Sequence, residues 1–434
     1  MSSSCSSCAT WRLTAACVTP STLPSLSSLL SSRRPHHALP AGLYTRPDVF
    51  EADMQVFFQN HWILVGLECE IPEPGDAQVL DIGKAGLILL RDDDGQVRAF
   101  HNTCRHRGAR ILDAGATVIS KLVCPYHQWT YEPTGELIHA PHMGVDFDKS
   151  CRSLKPVAVR NVGGLLYVCL GENPPKDIAV LQDVMEERLA PYGLRDAKVA
   201  HQVDVIEKGN WKLTMENNRE CYHCVGSHPE LCVTFFDLDF GFDPAAMSAE
   251  ERARAEQHVA DRIAREKRWE AEGFKSSHVE RVIDCETNFR TQRLAINGGG
   301  ESQTPDGKAA CAKLMGSMTR KDLGDTHLWG HNGWNHFMGD HVVSAMVIPL
   351  TADTTLVRTK WLVHKDAREG VDYDLNRLTD VWIATTDQDA DLVARSQAGV
   401  QDPAYEPGVY SPHTEKQLDN FASWYVQRMQ THGY

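Results

Sequence analysis

The chain has 434 residues, of which 42% are hydrophobic, and a formal net charge of −14 at pH 7. This length can bury a substantial core and accommodates two domains. The negative charge argues against nucleic acid and anionic membrane surfaces as partners, and the longest apolar runs are far shorter than the roughly 20 residues of a membrane span.

The N-terminal segment, residues 1–43, is predicted to be an extension that is flexible at its start. Residues 1–47 contain no Asp or Glu and include Ser-rich runs, a composition typical of an organelle transit peptide. A disordered tail or a start codon assigned too early also explains it, and we favour these two explanations. The 13 cysteines are odd in number and spread along the chain, which indicates a reducing compartment. We therefore expect the cytoplasm, or an organelle if residues 1–40 are a transit peptide.

The first half of the chain alternates short strands with turns. Residues 47–66 have apolar residues at helical spacing, and residues 60–170 then contain β-like runs separated by DG, TG and GG turns. This pattern predicts an antiparallel all-β domain, which we place at residues 44–172.

The second half predicts helices around another antiparallel sheet. A linker at 173–177 precedes an amphipathic helix, a charged helix is predicted over 248–272, and a final helix is predicted over 374–398. Between them, residues 326–364 read as long strands. We therefore predict an α+β domain, residues 173–434, whose antiparallel sheet is flanked by helices.

The first chemical motif is a pair of loops that each hold one cysteine and one histidine. Cys104 and His106 form C-x-H, and after residues 107–123 Cys124 and His127 form C-x-x-H. Two Cys on one iron and two His on the other are the ligands of a high-potential [2Fe–2S] cluster. A structural Cys₂His₂ zinc site is the alternative, but zinc sites usually pair like ligands on one loop.

These loops resemble those of Rieske proteins, and the length of the chain resembles that of Rieske non-haem iron oxygenases. The resemblance implies a Rieske [2Fe–2S] domain followed by a helix-grip-like catalytic domain with a mononuclear iron. In such an oxygenase two His and one carboxylate hold Fe(II) and leave open positions for O₂.

The second motif, "NWKLTMENNRECYHCVGSHPEL" (210–231), supplies candidates for that iron. The sequence predicts one helix that carries Glu220 and His223 on a shared face and ends before Pro229, so that His228 approaches from a turn. We interpret His223 and His228 as iron ligands and the cysteines Cys221 and Cys224 as packing residues. A C-x-x-C redox pair and a zinc site with the histidines are the alternatives.

The third iron ligand is expected to be an acid far along the chain. The segment "TTDQDADLV" (385–393) offers three acids on a predicted helix. The family pattern places the ligand Asp eight residues before a Gln, and Gln397 therefore selects Asp389, with Asp387 as the second choice.

The residues around His223 are similar to those of the branch of this family that demethylates quaternary ammonium compounds. Glu220 stands where ring-hydroxylating relatives usually carry Asp. The resemblance implies a homotrimer in which Glu220, a candidate catalytic residue, accepts hydrogen bonds from His127 of one subunit and His223 of the next. An ammonium group without N–H bonds is held by aromatic faces, and we nominate Trp329, Trp334 and Phe337, each of which could equally be a core residue.

The resemblance therefore implies a monooxygenase that converts glycine betaine and O₂, with two electrons and two protons, to dimethylglycine, formaldehyde and water. No nucleotide-binding G-x-G-x-x-G is present, so a separate flavin- or ferredoxin-type reductase is the expected partner. Stachydrine, carnitine and choline are alternative substrates. An aromatic-ring-hydroxylating dioxygenase α subunit and a non-catalytic Rieske electron carrier are alternative functions.

Overall fold

The computed structural model of the protein describes residues 24–434, so the Ser-rich start of the chain lies outside the described residues. The described helices are α1 Leu26–Ser32, α2 Ala41–Thr45, α3 Pro47–Asp53, α4 Ile178–Leu189, α5 Trp211–Asn217, α6 Cys224–Ser227, α7 Ala249–Ala271, α8 Leu375–Val400 and α9 Lys416–Thr431. Among the described residues, no helix combines the length and the apolarity that crossing a membrane requires.

Seventeen strands build the β structure of the described residues. Their bounds are β1 Ile63–Leu67, β2 Asp76–Ile82, β3 Ala85–Arg91, β4 Val97–His101, β5 Gly115–Val118, β6 Leu122–Val123, β7 Thr130–Tyr131, β8 Leu137–His139, β9 Pro156–Val162, β10 Leu165–Cys169, β11 Ala197–Glu207, β12 Val279–Arg281, β13 Phe289–Leu294, β14 Asp325–Trp329, β15 Gly333–Phe337, β16 Val342–Thr351 and β17 Thr354–His364.

The first ten strands confirm the predicted antiparallel β architecture. One seven-stranded sheet has the order β1-β10-β9-β4-β3-β2-β5, and a small sheet has the order β6-β7-β8. The helix predicted over 47–66 is shorter than expected, because α3 continues as a π-helix over Met54–Gln59 and the chain then enters β1 at Ile63.

The second sheet confirms the predicted α+β class. Its seven antiparallel strands have the order β11-β17-β16-β15-β14-β13-β12. The charged helix α7 begins at the capping box of Ser248 and Glu251, and α8 packs against β11 and α5. The predicted domain boundary at 172/173 falls between β10 and α4 and stays a prediction.

The N-terminal helices pack against the second half of the chain rather than standing apart. The ring of Phe57 lies 5.6 Å from that of Trp211 and 5.0 Å from that of Trp424. Asp53, which is fully buried, forms an ion pair with Lys212 and accepts a hydrogen bond from the Tyr425 hydroxyl at 2.7 Å. These contacts attach residues before β1 to α5 and α9.

Candidate metal centres

The two Cys/His loops have the same backbone design. The Cys104 amide donates to the carbonyl of Ala109 at 2.8 Å, and the Cys124 amide donates to the carbonyl of Trp129 at 2.8 Å, five residues on in both cases. The residue four positions after each cysteine is left-handed: Gly108 has φ +76° and Gln128 has φ +60°. Each tight turn directs its Cys inward and its His toward the tip of the loop.

The four side chains divide into a buried pair and a surface pair. Cys104 and Cys124 are free thiols that are 3% and 1% exposed, whereas His106 is exposed and His127 half-buried. The two imidazole rings lie 4.6 Å apart. This arrangement fits a cluster whose Cys-bound iron lies inside the domain and whose His-bound iron faces outward.

Two further side chains support this site, and the sequence reading missed the role of Tyr131. The hydroxyl of Tyr131 lies 3.3 Å from Cys104 Sγ and accepts from the Arg105 amide at 3.0 Å. The ring of Trp129 stacks on His106 at 4.9 Å, with an interplanar angle of 7°. A hydroxyl near a cluster sulfur is one of the groups that tune the potential of such clusters.

The second candidate centre lies where α5 ends, and the local structure differs from the predicted single helix. Helix α5 ends at Asn217, Glu220 and His223 lie in the following turn, and His228 directly follows α6. The side-chain amide of Asn217 donates to Asp389 Oδ1 at 2.6 Å. The side-chain oxygen of Asn218 accepts from Trp329 Nε1 at 2.7 Å.

The structure brings His223, His228 and Asp389 together. Asp389 Oδ1 lies 3.0 Å from His228 Nε2 and 3.5 Å from His223 Nε2. His228 Nε2 is buried and faces this carboxylate. Asp387 lies elsewhere, beside Trp361. Two imidazole nitrogens and one carboxylate oxygen that converge in this way match the two-His, one-carboxylate ligand set of a mononuclear iron.

The electrostatics of this group favour a bound cation. Burial lowers the pKa of His223, but its hydrogen bonds to Asp389 and Glu220 outweigh burial and raise it to about 9. Burial raises the pKa of Asp389, but the two histidines hold it below its usual value. The carboxylates therefore create a site where positive charge between the imidazoles is stabilised.

Each ligand candidate is oriented by a neighbour. Glu220 Oε1 accepts from His223 Nδ1 at 2.6 Å, and Gln388 Oε1 accepts from His228 Nδ1 at 2.8 Å, which leaves both Nε2 atoms free to bind metal. The sequence reading predicted the contact of Glu220 with His223. It missed Gln388, although this residue directly precedes Asp389.

The structure corrects the interpretation of the two cysteines. Cys221 and Cys224 form a disulfide, with Cα atoms 4.8 Å apart, and do not simply fill space. Ligand atoms of His223, Cys224 and His228 lie within 4.8 Å of one another. Since the Cys224 sulfur is bonded to Cys221, Asp389 completes the group better than Cys224 does.

A cavity of about 110 Å³ adjoins these residues. Trp329 lines it, as expected, whereas Trp334 and Phe337 do not. Phe337 points to the opposite face of the sheet, where its ring lies 5.6 Å from that of Tyr192, because side chains alternate along a strand. Trp334 shares the face of Trp329 but is buried in the core beneath it.

Further aromatic wall residues are Phe235, His336 and Trp382, and the rings of the last two lie 4.4 Å apart. The sequence reading missed all three of them. Trp382 stands seven residues before Asp389 on α8, so two helical turns place both side chains on one face. That spacing was a usable signal, whereas nothing local in the sequence distinguishes His336.

Comparison with protein families assigns both halves of the chain. Residues 61–156 match the Rieske [2Fe-2S] domain, and residues 194–431 match the family described as ring hydroxylating alpha subunit (catalytic domain). The chain is 44% identical over 406 residues to the glycine betaine monooxygenase oxygenase subunit of Pseudomonas aeruginosa (strain UCBPP-PA14), which covers 93% of this chain and 91% of the relative. The glycine betaine monooxygenase oxygenase subunit of Chromohalobacter salexigens is 42% identical to this chain. That match covers 93% of this chain and 88% of the relative.

A solved structure extends the likeness to the fold. The quaternary ammonium Rieske monooxygenase CntA in complex with γ-butyrobetaine has a TM-score of 0.68 and 20% sequence identity. The match covers 93% of this chain and 99% of that chain. At this identity the likeness concerns the fold.

Proposed function

We propose that this chain, which belongs to the family of Rieske non-haem iron oxygenase α subunits, removes a methyl group from a quaternary ammonium compound, glycine betaine. The observation that carries the proposal is the 44% identity to glycine betaine monooxygenase oxygenase subunits over 93% of the chain. The aromatic cavity beside His223, His228 and Asp389 supports it.

The family binds a [2Fe–2S] cluster and a mononuclear iron. We assign the cluster to the residues of the two symmetric loops and the mononuclear iron to the three residues around the buried nitrogen of His228. The cluster ligands are Cys104, His106, Cys124 and His127. The iron ligands are His223, His228 and Asp389.

When bound, the cluster relays single electrons and the mononuclear iron activates O₂. The polypeptide holds these groups and orients their ligands. Glu220 and Gln388 fix the tautomers of the two histidines, and Asn217 orients Asp389 by donating to its Oδ1 at 2.6 Å.

Recognition of the substrate rests on aromatic faces, because a trimethylammonium group cannot form conventional hydrogen bonds. Trp329 and Trp382 present their rings to the cavity, and each such contact contributes about 0.5–2 kcal/mol. The negative carboxylate of Asp389 lies on the same wall. This wall positions an N-methyl group beside the iron ligands.

The overall reaction consumes one O₂ and two electrons. Glycine betaine, O₂, NAD(P)H and a proton give dimethylglycine, formaldehyde, water and NAD(P)⁺. An oxygenase component of this family depends on a separate reductase, and we propose that it is of the flavin or ferredoxin type.

We further propose a homotrimer in which the exposed loops of one subunit meet the iron site of the next. Glu220 would then accept hydrogen bonds from His223 of its own chain and His127 of its neighbour. The contact within the chain, 2.6 Å long, and the surface position of the His106 and His127 pair support this proposal.

We place the enzyme in the cytoplasm, on the ground that five of the described cysteines, besides the exposed Cys151 and the proposed cluster ligands Cys104 and Cys124, are free thiols, whereas one pair, Cys221 and Cys224, is bonded.

The experiment that tests the function measures formaldehyde across four substrates with a reductase supplied. We expect glycine betaine to give formaldehyde at a higher kcat/KM than carnitine, stachydrine or choline. The Asp389→Ala variant serves as the inactive control. Consumption of NADH with an aromatic substrate, without formaldehyde from any of the four compounds, would replace the proposal with a ring-hydroxylating activity.

A further inference from the structure

The wall of the cavity contains a charged group that the proposed reaction has not used. Arg290, on β13, lines the cavity together with Arg219. Arg290 is half-buried and Arg219 is buried. Neither guanidinium lies within 4.0 Å of a carboxylate in the described part of the chain, whereas the buried Arg91, Lys212 and Lys360 each pair with an acid.

The contacts of Arg290 leave most of its donors available. Its Nε donates to His278 Nε2 at 3.3 Å, and its guanidinium carbon lies 5.2 Å from the centre of the Trp329 ring. Glu280 stands opposite Arg290 on the neighbouring strand. It is directed instead at Asn420, whose amide donates to Oε1 at 2.7 Å, and at His278, 3.6 Å away.

Arg219 adds positive charge at the same end of the cavity but is already held in place. It donates to the carbonyl of Gly330 at 2.6 Å and lies over the ring of Phe421 at 4.5 Å. Burial, and after it the charge of Arg290, lowers the pKa of Arg219 to about 9. Burial lowers the pKa of Arg290 to about 10, so both guanidinium groups remain charged at neutral pH.

Arg290 is half-buried and has no carboxylate within 4.0 Å, and Glu280 acts on its charge only from a longer distance. A ligand carboxylate would supply the close anionic partner that this guanidinium lacks. The cavity therefore has two chemically different parts. Trp382, His336 and Asp389 offer aromatic and negative surface, whereas Arg290 offers a fork of N–H donors that matches a carboxylate.

We propose that Arg290 binds the carboxylate of the substrate and so restricts the enzyme to zwitterionic quaternary ammonium compounds. The inference rests on the proposed function, since it names the substrate class of that same site. A purely cationic compound such as choline would bring its ammonium group to the same cavity without neutralising Arg290. Repulsion and the unpaired guanidinium then both disfavour it.

The test compares binding of glycine betaine with binding of its methyl ester, a cation that keeps the trimethylammonium group but lacks the carboxylate charge. Quenching of tryptophan fluorescence from Trp329 and Trp382 reports equilibrium binding to the metal-loaded enzyme, and formaldehyde formation gives KM and kcat. In Arg290→Gln we expect affinity for glycine betaine to fall roughly ten- to a hundredfold, the usual effect of losing a hydrogen bond to a charged group. Affinity for the ester should stay level or rise, and kcat at saturation should change less than KM.

The controls separate this role from a structural one. Arg281→Gln removes the same charge from exposed β12, where Arg281 pairs with Asp284 at 3.2 Å, and should leave both affinities unchanged. Arg290→Lys keeps the charge but loses the fork, so its preference for the zwitterion should be intermediate. It also keeps the proposal testable if Arg290→Gln does not fold.

An unchanged preference for glycine betaine over its ester in folded Arg290→Gln or Arg290→Lys would overturn the inference. That result leaves the proposed function intact as long as the unsubstituted enzyme releases formaldehyde from glycine betaine. If the unsubstituted enzyme neither binds nor demethylates any quaternary ammonium compound, the proposed function itself fails.

Discussion

Glu220 is bound to the imidazole of His223 through its Oε1 and to the Tyr222 amide through its Oε2. In Glu220→Gln the size of the side chain is kept, but one acceptor oxygen becomes a donor. We expect the variant to retain the cluster and the mononuclear iron and to lose turnover by about 10- to 100-fold, as is usual when the partner of a metal-bound histidine is changed.

The measurement for Glu220→Gln is metal content beside the rate of cluster oxidation in a single turnover. Glu256→Gln, an exposed change on α7, is the matched control and should behave as the unsubstituted enzyme. If Glu220→Gln loses the mononuclear iron while Asp389→Ala keeps it, Glu220 is a ligand and its assignment as an orienting residue is wrong.

Asp389 and Asp387 allow a sharp comparison, because only two positions on one helix separate them. We expect Asp389→Ala to lose the mononuclear iron and keep the cluster, so that iron analysis gives about two irons per chain rather than about three. Asp387→Ala should keep all of them. The reverse result would shift the assigned ligand by two residues.

The role of a single residue could be predicted where a motif or its chemistry restricts that role. It could not be predicted where the packing of the folded chain determines which side chains line the cavity. The pattern of the family that the sequence resembles, with the ligand Asp eight residues before a Gln, selected Asp389, which the structure places 3.0 Å from His228 Nε2. The nominated residues Trp334 and Phe337 do not line the cavity. Composition cannot distinguish an aromatic residue of the core from one that lines a pocket. Arg290 was missed because its lack of an acidic partner is visible only in three dimensions.

At the scale of elements, the two Cys/His turns behave as one unit that positions its ligands through the backbone. Cys104→Ser or His127→Ala should therefore abolish the visible spectrum of the cluster while leaving much of the fold in place. The measurement is the visible and EPR spectrum of the purified variant beside its circular dichroism. Cys151→Ser, at an exposed free thiol, is the control. A full Rieske EPR signal in either cluster variant would exclude the assigned ligands.

The ends of two helices show where a local sequence pattern predicts a helix boundary and where it does not. The charged helix predicted over 248–272 is α7, Ala249–Ala271, since a capping box and helical periodicity are local signals. The helix predicted across 210–226 instead ends at Asn217. Asn217 and Asn218 turn their side chains toward Asp389 and Trp329, residues more than a hundred positions away, and such distant partners do not appear in a local pattern.

At the scale of the whole molecule, a buried contact joins the N-terminal helices to the iron-binding half. The Tyr44 hydroxyl lies 3.0 and 2.9 Å from the two carboxylate oxygens of Glu216. Burial raises the pKa of Glu216 to about 7, although Tyr44 and Lys212 act against it. The native protein therefore holds a proton on Glu216 across a pH range in which the unfolded chain has released it.

This contact predicts a pH-dependent stability. Between the usual pKa of a glutamate, about 4.5, and about 7, the native state binds more protons than the unfolded state, so stability falls as pH rises. The full fall attributable to Glu216 is about 3 kcal/mol. Glu216→Gln cannot titrate, so its thermal unfolding temperature relative to that of the unsubstituted protein should rise between pH 5 and pH 8. A difference that stays constant over this range would contradict the prediction.

The α+β class, the order of the two β-rich halves and the family could be predicted from the sequence, because ligand spacing and strand alternation are local. The attachment of residues 26–59 to α5 and α9 could not be predicted. It depends on buried pairs such as Asp53 and Lys212 that are far apart in the chain. Assembly of subunits around Glu220 remains a prediction.

The central claim is that the cluster and the iron of this protein cooperate in demethylating glycine betaine. It is tested most directly by reducing the protein, removing the reductant, and adding glycine betaine and O₂ without a reductase. One electron from the cluster and one from the mononuclear iron suffice for a single turnover. The account predicts that formaldehyde and cluster oxidation appear together, and that Asp389→Ala gives no formaldehyde. Cluster oxidation to the same extent with and without glycine betaine, with the substrate recovered intact, would contradict it.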